Sequence, residues 1–355
     1  MVKIIIVILL IAVAAFIAFC IWVTDYMFKS TYRSMSVDQV DNLQYMYDEK
    51  YKADYPRSQV SFPSGNETLA GYIYGEENDK ALAVFSHGIF SGPDEYLPII
   101  TYMVDHGYRV FAYDYTAYNN STGDSAHGLP QSPLDLDAAL TYIESDPELS
   151  KLKKVTFGHS WGAYASVAVL NFDHDVAAAC AMSGFNDPHT VSMEAAVGFL
   201  GGFIGNCLSP FIRAKDRRLF GEYANLNAVD GINKAGIPVL ITHADKDETI
   251  TYDNASIICH RAEITNPNVE YVTITESPRN NHNDFFLTCE SAAATQEFRA
   301  GYAKIEKEYG KGFPPVVPQE IKHEYYSKGD KELCNQPSLE YFDTVCSFFD
   351  RALEK

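Results

Sequence analysis

The stretch KKVTFGHSWGAYASVAVL, residues 153–170, limits the fold of this chain more than any other. A run of apolar and β-branched residues reaches a serine set between two glycines, and small apolar residues follow. Gly158 and Gly162 supply the room that a sharp strand-to-helix turn needs, because its backbone is strained and neighbouring strands approach closely. The pattern predicts a strand over KKVTF, an exposed nucleophile at Ser160 and a helix through AYASVAVL. Alone, G-x-S-x-G is a weak signal; its place between strand and helix gives it weight. A structural turn serine has no need of both glycines.

The rest of the chain extends this pattern. SQVSFPSGNETLAGYIYGE reads as two strands around a Ser-Gly-Asn turn. KALAVFSHG, YRVFAYDY, DVAAACAMSGF, IPVLITHAD and VEYVTITES are short apolar runs, suited to strands buried on both faces. Helical stretches lie between them. At the end, Leu339, Phe342, Val345, Cys346, Phe349 and Leu353 keep the spacing of an amphipathic closing helix. Such alternation implies an α/β domain over 57–355, with a mostly parallel central sheet, helices on both faces and antiparallel strands at one edge.

A serine hydroxyl is a poor nucleophile at neutral pH; it needs a base, and the base needs an orienting acid. The expected chain order is serine, acid, histidine. HADKDETI offers two acids, Asp245 and Asp247. ITESPRNNHNDFF carries His282 among polar, loop-like neighbours, which suits a proton shuttle better than a core histidine. An oxyanion needs two backbone N–H donors. Trp161, directly after the serine, is one; Ile89, after His87-Gly88, is the other, with Phe90 as second choice. His87 reads as a loop-shaping side chain. The chemistry calls for neither metal nor cofactor, and no Cys-x-x-Cys or His-rich spacing suggests a metal site.

From about residue 57 onward the chain resembles the alpha/beta-hydrolase superfamily, and within it the serine aminopeptidase and monoacylglycerol-lipase-like group. FSHGIFSG is similar to that group's His-Gly oxyanion loop, and GHSWGA to its elbow. AYDYTAYNNSTGDS resembles its Asp-x-x-Gly-x-Gly-x-Ser segment, with Ala117 and Asn119 in place of glycines. HADKDETI resembles the His-Gly-x-x-Asp motif, with Ala244 replacing glycine, and that resemblance puts the acid at Asp247. NHNDFF is similar to the catalytic-histidine segment. The resemblance also implies a cap inserted after the sixth strand, about 186–234 here. Its centre, AAVGFLGGFIGNCLSPFI, carries no charge. A single membrane crossing there is excluded, because the strands on either side share one sheet. It is either a helix buried among the cap's own partners or an apolar lid on the substrate; Phe90, Phe199 and Phe203 are the expected substrate-binding residues. RAKDRR follows, a solvated face or a contact for lipid head groups. A further segment, about 290–335, lies after His282, broken by FPPVVP, and is placed to overhang the site.

Residues 4–23, IIIVILLIAVAAFIAFCIWV, carry no charge and no polar stripe. Twenty helical residues span about 30 Å, the thickness of the hydrocarbon core. Bulky residues throughout its end argue against a cleaved signal, and Phe19 before Cys20 against a lipoprotein signal. The expectation is a single-pass anchor over 1–24, a juxtamembrane linker with some helix over 25–56, and, from Lys3 in the short tail, a catalytic domain outside the cytoplasm. Six cysteines beyond the anchor permit 15 full disulfide pairings, though Cys180 and Cys346 read as buried thiols. A net charge of −19 makes nucleic acid a poor partner.

These features together imply a membrane-anchored serine hydrolase acting on a carboxylic ester or lipid-like acyl substrate. Its rivals are a serine peptidase acting on small peptides, an acyltransferase using the same triad, and a non-catalytic binding protein on this fold.

Overall fold

A computed structural model describes residues 2–311 and 316–354, with only the backbone of Glu49. Eight strands form one sheet: β1 (Arg57–Ser64), β2 (Glu67–Tyr74), β3 (Leu82–Ser86), β4 (Arg109–Tyr113), β5 (Lys154–His159), β6 (Val176–Met182), β7 (Val239–Ala244) and β8 (Val269–Ile274). Their order is β1-β2-β4-β3-β5-β6-β7-β8. The β1/β2 and β2/β4 pairs are antiparallel, and every other pair is parallel. The mostly parallel sheet is what the alternation of strands and helices implies, and its arrangement is the α/β-hydrolase fold that the motif resemblance implies.

The thirteen helices are α1 (Val2–Thr31), α2 (Glu49–Asp54), α3 (Leu97–Asp105), α4 (Gln131–Ser145), α5 (Trp161–Ala168), α6 (Pro188–Leu200), α7 (Gly202–Cys207), α8 (Ser209–Phe220), α9 (Ala228–Ala235), α10 (Cys289–Tyr309), α11 (Gln319–Tyr326), α12 (Lys331–Cys334) and α13 (Leu339–Leu353). Helices cover both faces because the central strands are apolar on both. Along β3, Leu82 and Val84 enter one core with α4, α5 and α9, whereas Ala83 and Phe85 enter the other with α3 and α13. That is the period-two alternation of a strand. Each fully buried aromatic, Phe85 or Phe157 for example, contributes about 2 kcal/mol by leaving water.

Two appendages sit on this sheet. Between β6 and β7, α6 to α9 form the cap. After β8, α10 to α12 form a C-terminal segment; of the expected break at 313–318, residues 313–315 lie outside the described residues.

The N-terminal region differs from a simple anchor followed by a linker. The helix does not stop near residue 24 but runs on to Thr31. Its first turns are exposed, whereas Cys20, Val23, Thr24 and Phe28 are buried and α1 packs on α8, where Lys215 Nζ reaches Asp25 Oδ1 at 2.7 Å. This docking continues the helix past the apolar run. Residues 33–48 then form a strap across the body. Isolated bridges join Arg33 to Ser125 and Met35 to Tyr118, and Asp41, Leu43 and Met46 are buried. All seven cysteines are free thiols.

Candidate active site

The turn after β5 is strained as its glycines require. Ser160 has φ 58° and ψ −115°, the first turn of α5 follows it, and its N–H is held by Met182 O at 2.8 Å. A Cβ on Gly162 would lie 1.9 Å from Ser86 O, and one on Gly158 would lie 2.5 Å from the same atom. Neither position accepts a side chain, so the strand β3 backbone itself dictates both glycines.

His282 reaches the serine from the loop after β8. Its Nε2 accepts from Ser160 Oγ at 2.9 Å, and its Nδ1–H donates to Asp247 Oδ2 at 2.7 Å. The other oxygen of Asp247 accepts the N–H groups of Thr249 and Ile250 at 2.9 and 2.8 Å. Burial alone would raise the Asp247 pKa; hydrogen bonds from His243 and His282 outweigh it and hold the carboxyl well below the usual range. Asp245, the other acid in the same turn, accepts from Asn280 Nδ2 instead and does not touch His282. Ser160, His282 and Asp247 are all buried, at 6%, 4% and 6% exposure, so the polar chain between them is shielded from bulk water.

Three further residues hold this arrangement, and the sequence gives little sign of them. His159, within the elbow, donates from Nε2 to His282 O and accepts from Tyr96 Oη at Nδ1, both at 2.9 Å. Burial, then the adjacent His282, push its pKa down to about 3, so the ring is neutral with one proton. His243 contacts Asp247 Oδ2 at 3.2 Å from the opposite side. The motif positions of both histidines were visible, but not their partners.

The residues expected to hold an oxyanion lie on α5 and in the loop after β3. Trp161 opens α5, where the first backbone N–H groups lack intrahelical acceptors, and its indole N–H is tied to Leu129 O at 2.8 Å. Ile89 lines the same cavity as Ser160. The N–H of Phe90 is directed to Tyr118 Oη at 3.5 Å. His87 is buried, donates from Nδ1 to Gly88 O at 2.7 Å and packs on Tyr115 and Tyr118. Burial lowers its pKa to about 4, so it stays neutral and shapes the loop. In the neighbouring segment, Ala117 and Asn119 adopt φ 67° and 45°, glycine-like conformations kept without glycine. Asn119 accepts from Val37 N–H and donates to Asp114, fastening the strap beside the site.

A cavity of about 280 Å³ opens on Ser160 and His282. Its walls overturn the expectation for the cap. Phe199 and Phe203 lie on the outside of the molecule, 77% and 81% exposed, and neither lines the cavity; nor does Phe90, at 53%. Instead the strap supplies Gln44, and the C-terminal segment supplies Arg299, Cys334 and Asn335. Polar groups therefore face much of the space. Arg299 is pinned to buried Asp284 at 3.0 Å. Glu95 accepts from Asn42 Nδ2 at 2.7 Å and Gly92 N–H at 2.9 Å, and no cation lies within 4 Å of it among the described residues. Burial, aided by Asp94, raises its pKa to about 7.

Residues 83–255 match the model of the alpha/beta hydrolase family. The chain is similar to an esterase from Pyrococcus furiosus, with TM-score 0.53 and 18% identity over 78% of this chain and 98% of that one. It is also similar to an alpha/beta hydrolase from Penicillium sp., with TM-score 0.48 and 19% identity over 65% of this chain and 92% of that one. An acylaminoacyl peptidase from Pyrococcus horikoshii follows at TM-score 0.46 and 16% identity, over 64% of this chain but 38% of that one. At such identities the likeness speaks for the fold. No curated protein matches the sequence.

Proposed function

The chain belongs to the alpha/beta-hydrolase superfamily, and from that premise we propose that it is a membrane-anchored serine hydrolase that cleaves small carboxylic esters through an acyl-enzyme. The observation that carries this reading is the pair of hydrogen bonds on His282, 2.9 Å to Ser160 Oγ and 2.7 Å to Asp247 Oδ2. In the proposed reaction His282 Nε2 takes the proton of Ser160 as Oγ attacks the acyl carbon. Asp247 stabilises the imidazolium, and the N–H groups of Trp161 and Ile89 hold the oxyanion. His282 then protonates the leaving alcohol, and next takes a proton from the water that releases the acid.

A 280 Å³ cavity with mixed polar and apolar walls is at the small end of ligand sites, and its size favours a short acyl group over a long chain. The anchor reading rests on α1, whose 30 residues are long and apolar enough to cross a membrane and are largely unburied. A domain outside the cytoplasm is the orientation that Lys3 favours.

A second reading, cleavage of aminoacyl substrates, is favoured by Glu95. It is a half-buried carboxylate in the cavity whose hydrogen-bond partners among the described residues are neutral, and a substrate ammonium would supply a cation.

The test is a panel of short chromogenic esters, aminoacyl esters and their N-acetyl counterparts, assayed with the full chain in detergent. Ser160→Ala lowers kcat by about 10⁴-fold or more on every turned-over substrate. Turnover that survives the substitution removes Ser160 as nucleophile. A preference for free amines that disappears in Glu95→Gln selects the second reading.

A further inference from the structure

The two most exposed phenylalanines among the described residues stand together where α6 gives way to α7. Phe199 and Phe203 are 77% and 81% exposed, with Gly198, Gly201 and Gly202 between and beside them. Leaving such side chains in water forgoes the favourable burial of their apolar surface. The junction is not a loose loop. Gly201, at φ 78°, breaks the helix, and a Cβ on Gly205 would lie 2.6 Å from Val197 Cα, so the two helices pack at backbone contact. Ala196 is fully buried beneath them. The apolar tip is thus held outward by a rigid base.

What stands beside that base is α1. Cys20, Val23 and Phe28 are buried in the same apolar cluster on which Leu200, Cys207 and Phe211 pack. Phe203 lies four residues before Cys207 on α7, or about 6 Å along the helix. Cys207, at the end of α7, is an electrostatic neighbour of Cys20, the first buried residue of α1, so the phenylalanine tip lies about one helical turn from where α1 leaves the body. Beyond it, Ile4 to Ile17 are exposed throughout.

Charge follows the same geometry. In a chain of net charge −19, α8 carries Arg213, Arg217 and Arg218, all exposed, and the last turns of α1 carry exposed Lys29. Lys215, between them, is tied to Asp25. Each such cation is attracted to an anionic leaflet.

We propose that the α6–α7 junction is a second membrane contact: Phe199 and Phe203 enter the bilayer leaflet next to the emerging anchor, with Arg213, Arg217, Arg218 and Lys29 against anionic head groups. The inference rests on reading α1 as an anchor. The junction does not span, since α7 has six residues and β6 and β7 flank the cap in one sheet. An anchor alone leaves the domain free to swing; an anchor with a second contact fixes its tilt.

Tryptophan quenching by brominated lipid separates the two contacts. The full chain is placed in vesicles of phosphatidylcholine and phosphatidylglycerol in a Trp22→Phe background, where the remaining Trp161 is buried. Phe16→Trp reports α1, Phe203→Trp the junction, and Leu339→Trp a surface on α13. The expected result is quenching of Phe203→Trp at least half as strong as that of Phe16→Trp, with Leu339→Trp unquenched. Omitting phosphatidylglycerol weakens it at position 203 but not at 16. Quenching of Phe203→Trp no stronger than that of Leu339→Trp overturns the proposal, whatever Phe16→Trp shows. Strong quenching at 203 with none at 16 keeps the junction contact and sinks the anchor. Phe199→Trp serves as the second reporter should Phe203→Trp fold poorly.

Discussion

The sheet carries two helical appendages of similar size, the cap from α6 to α9 and the C-terminal segment from α10 to α12, and they face opposite tasks. The cap has the apolar tip, yet that tip points away from Ser160 and sits beside α1. The C-terminal segment is polar, yet Arg299, Cys334 and Asn335 wall the cavity, joined by Gln44 from the strap. Strap and segment are stitched together by Asp41, which accepts from Gln319 and His323 of α11, and by Lys322 on Asp38. The contrast teaches that an apolar insertion does not identify the substrate wall. Here the base of the cap packs on the N-terminal helix through α8, and its apolar tip stays exposed.

If the C-terminal side governs the chemistry, the largest effect belongs to the bond that fixes its root. His159 Nε2–H holds the His282 carbonyl, where the loop after β8 turns toward α10. His159→Phe removes the donor to that carbonyl and one partner of Tyr96 Oη, and lets His282 drift. A misplacement near 1 Å lowers kcat about 100-fold while KM stays close to wild type. His159→Gln, which restores an N–H donor, recovers most of the loss. Steady-state kinetics on a short ester decide it, with thermal melts checking the fold. An unchanged kcat in His159→Phe would mean that the loop is held from elsewhere.

Sequence reasoning reads the elbow because its rules are local. Two glycines beside Ser160 answer to one strand, β3, crossing the turn at backbone distance. The choice of Asp247 over Asp245 needed the motif resemblance, since both acids sit in one turn and only the hydrogen bond to His282 separates them. The cavity walls were illegible for the opposite reason. Gln44, Glu95, Arg299 and Asn335 come from segments far apart in the chain, and no spacing encodes their meeting. The extension of α1 to Thr31 was hidden likewise, because polar residues past Val23 stay helical by docking on α8.

The cap side can be probed through Asp216, a buried carboxylate on α8 at 5% exposure whose pKa burial raises to about 7. Tyr32, at the end of α1, and Tyr164 are close enough to feel its charge. An unfolded aspartate titrates near about 4, so between there and about 7 the unfolded chain binds fewer protons than the folded one. Stability therefore falls as pH rises through that window, and the penalty is complete above it. Asp216→Asn removes it. The variant is expected to be more stable than wild type by about 1–3 kcal/mol near pH 8 and equal to it near pH 4. Melting curves at the two pH values measure the difference. No pH-dependent gap would mean that water reaches Asp216 and that the cap is a loosely held lid rather than a docked base.

The smallest effect tests the contrast most directly. Gln44 lines the cavity from the strap, so Gln44→Ala takes one polar contact from the bound substrate. A neutral hydrogen bond contributes about 1 kcal/mol, or about fivefold in KM, with kcat little altered. Phe199→Ser with Phe203→Ser removes far more apolar surface, but from the outside of the molecule. On a water-soluble ester in detergent, that double variant should keep KM within about twofold of wild type, well short of the loss its apolar area would bring if it lined the site. Should the double variant raise KM strongly and Gln44→Ala leave it untouched, the roles of the two appendages would be reversed, and the cap would close over Ser160 in solution. One variant alters a wall of the cavity and the other the outside of the cap, and a single substrate titration compares them.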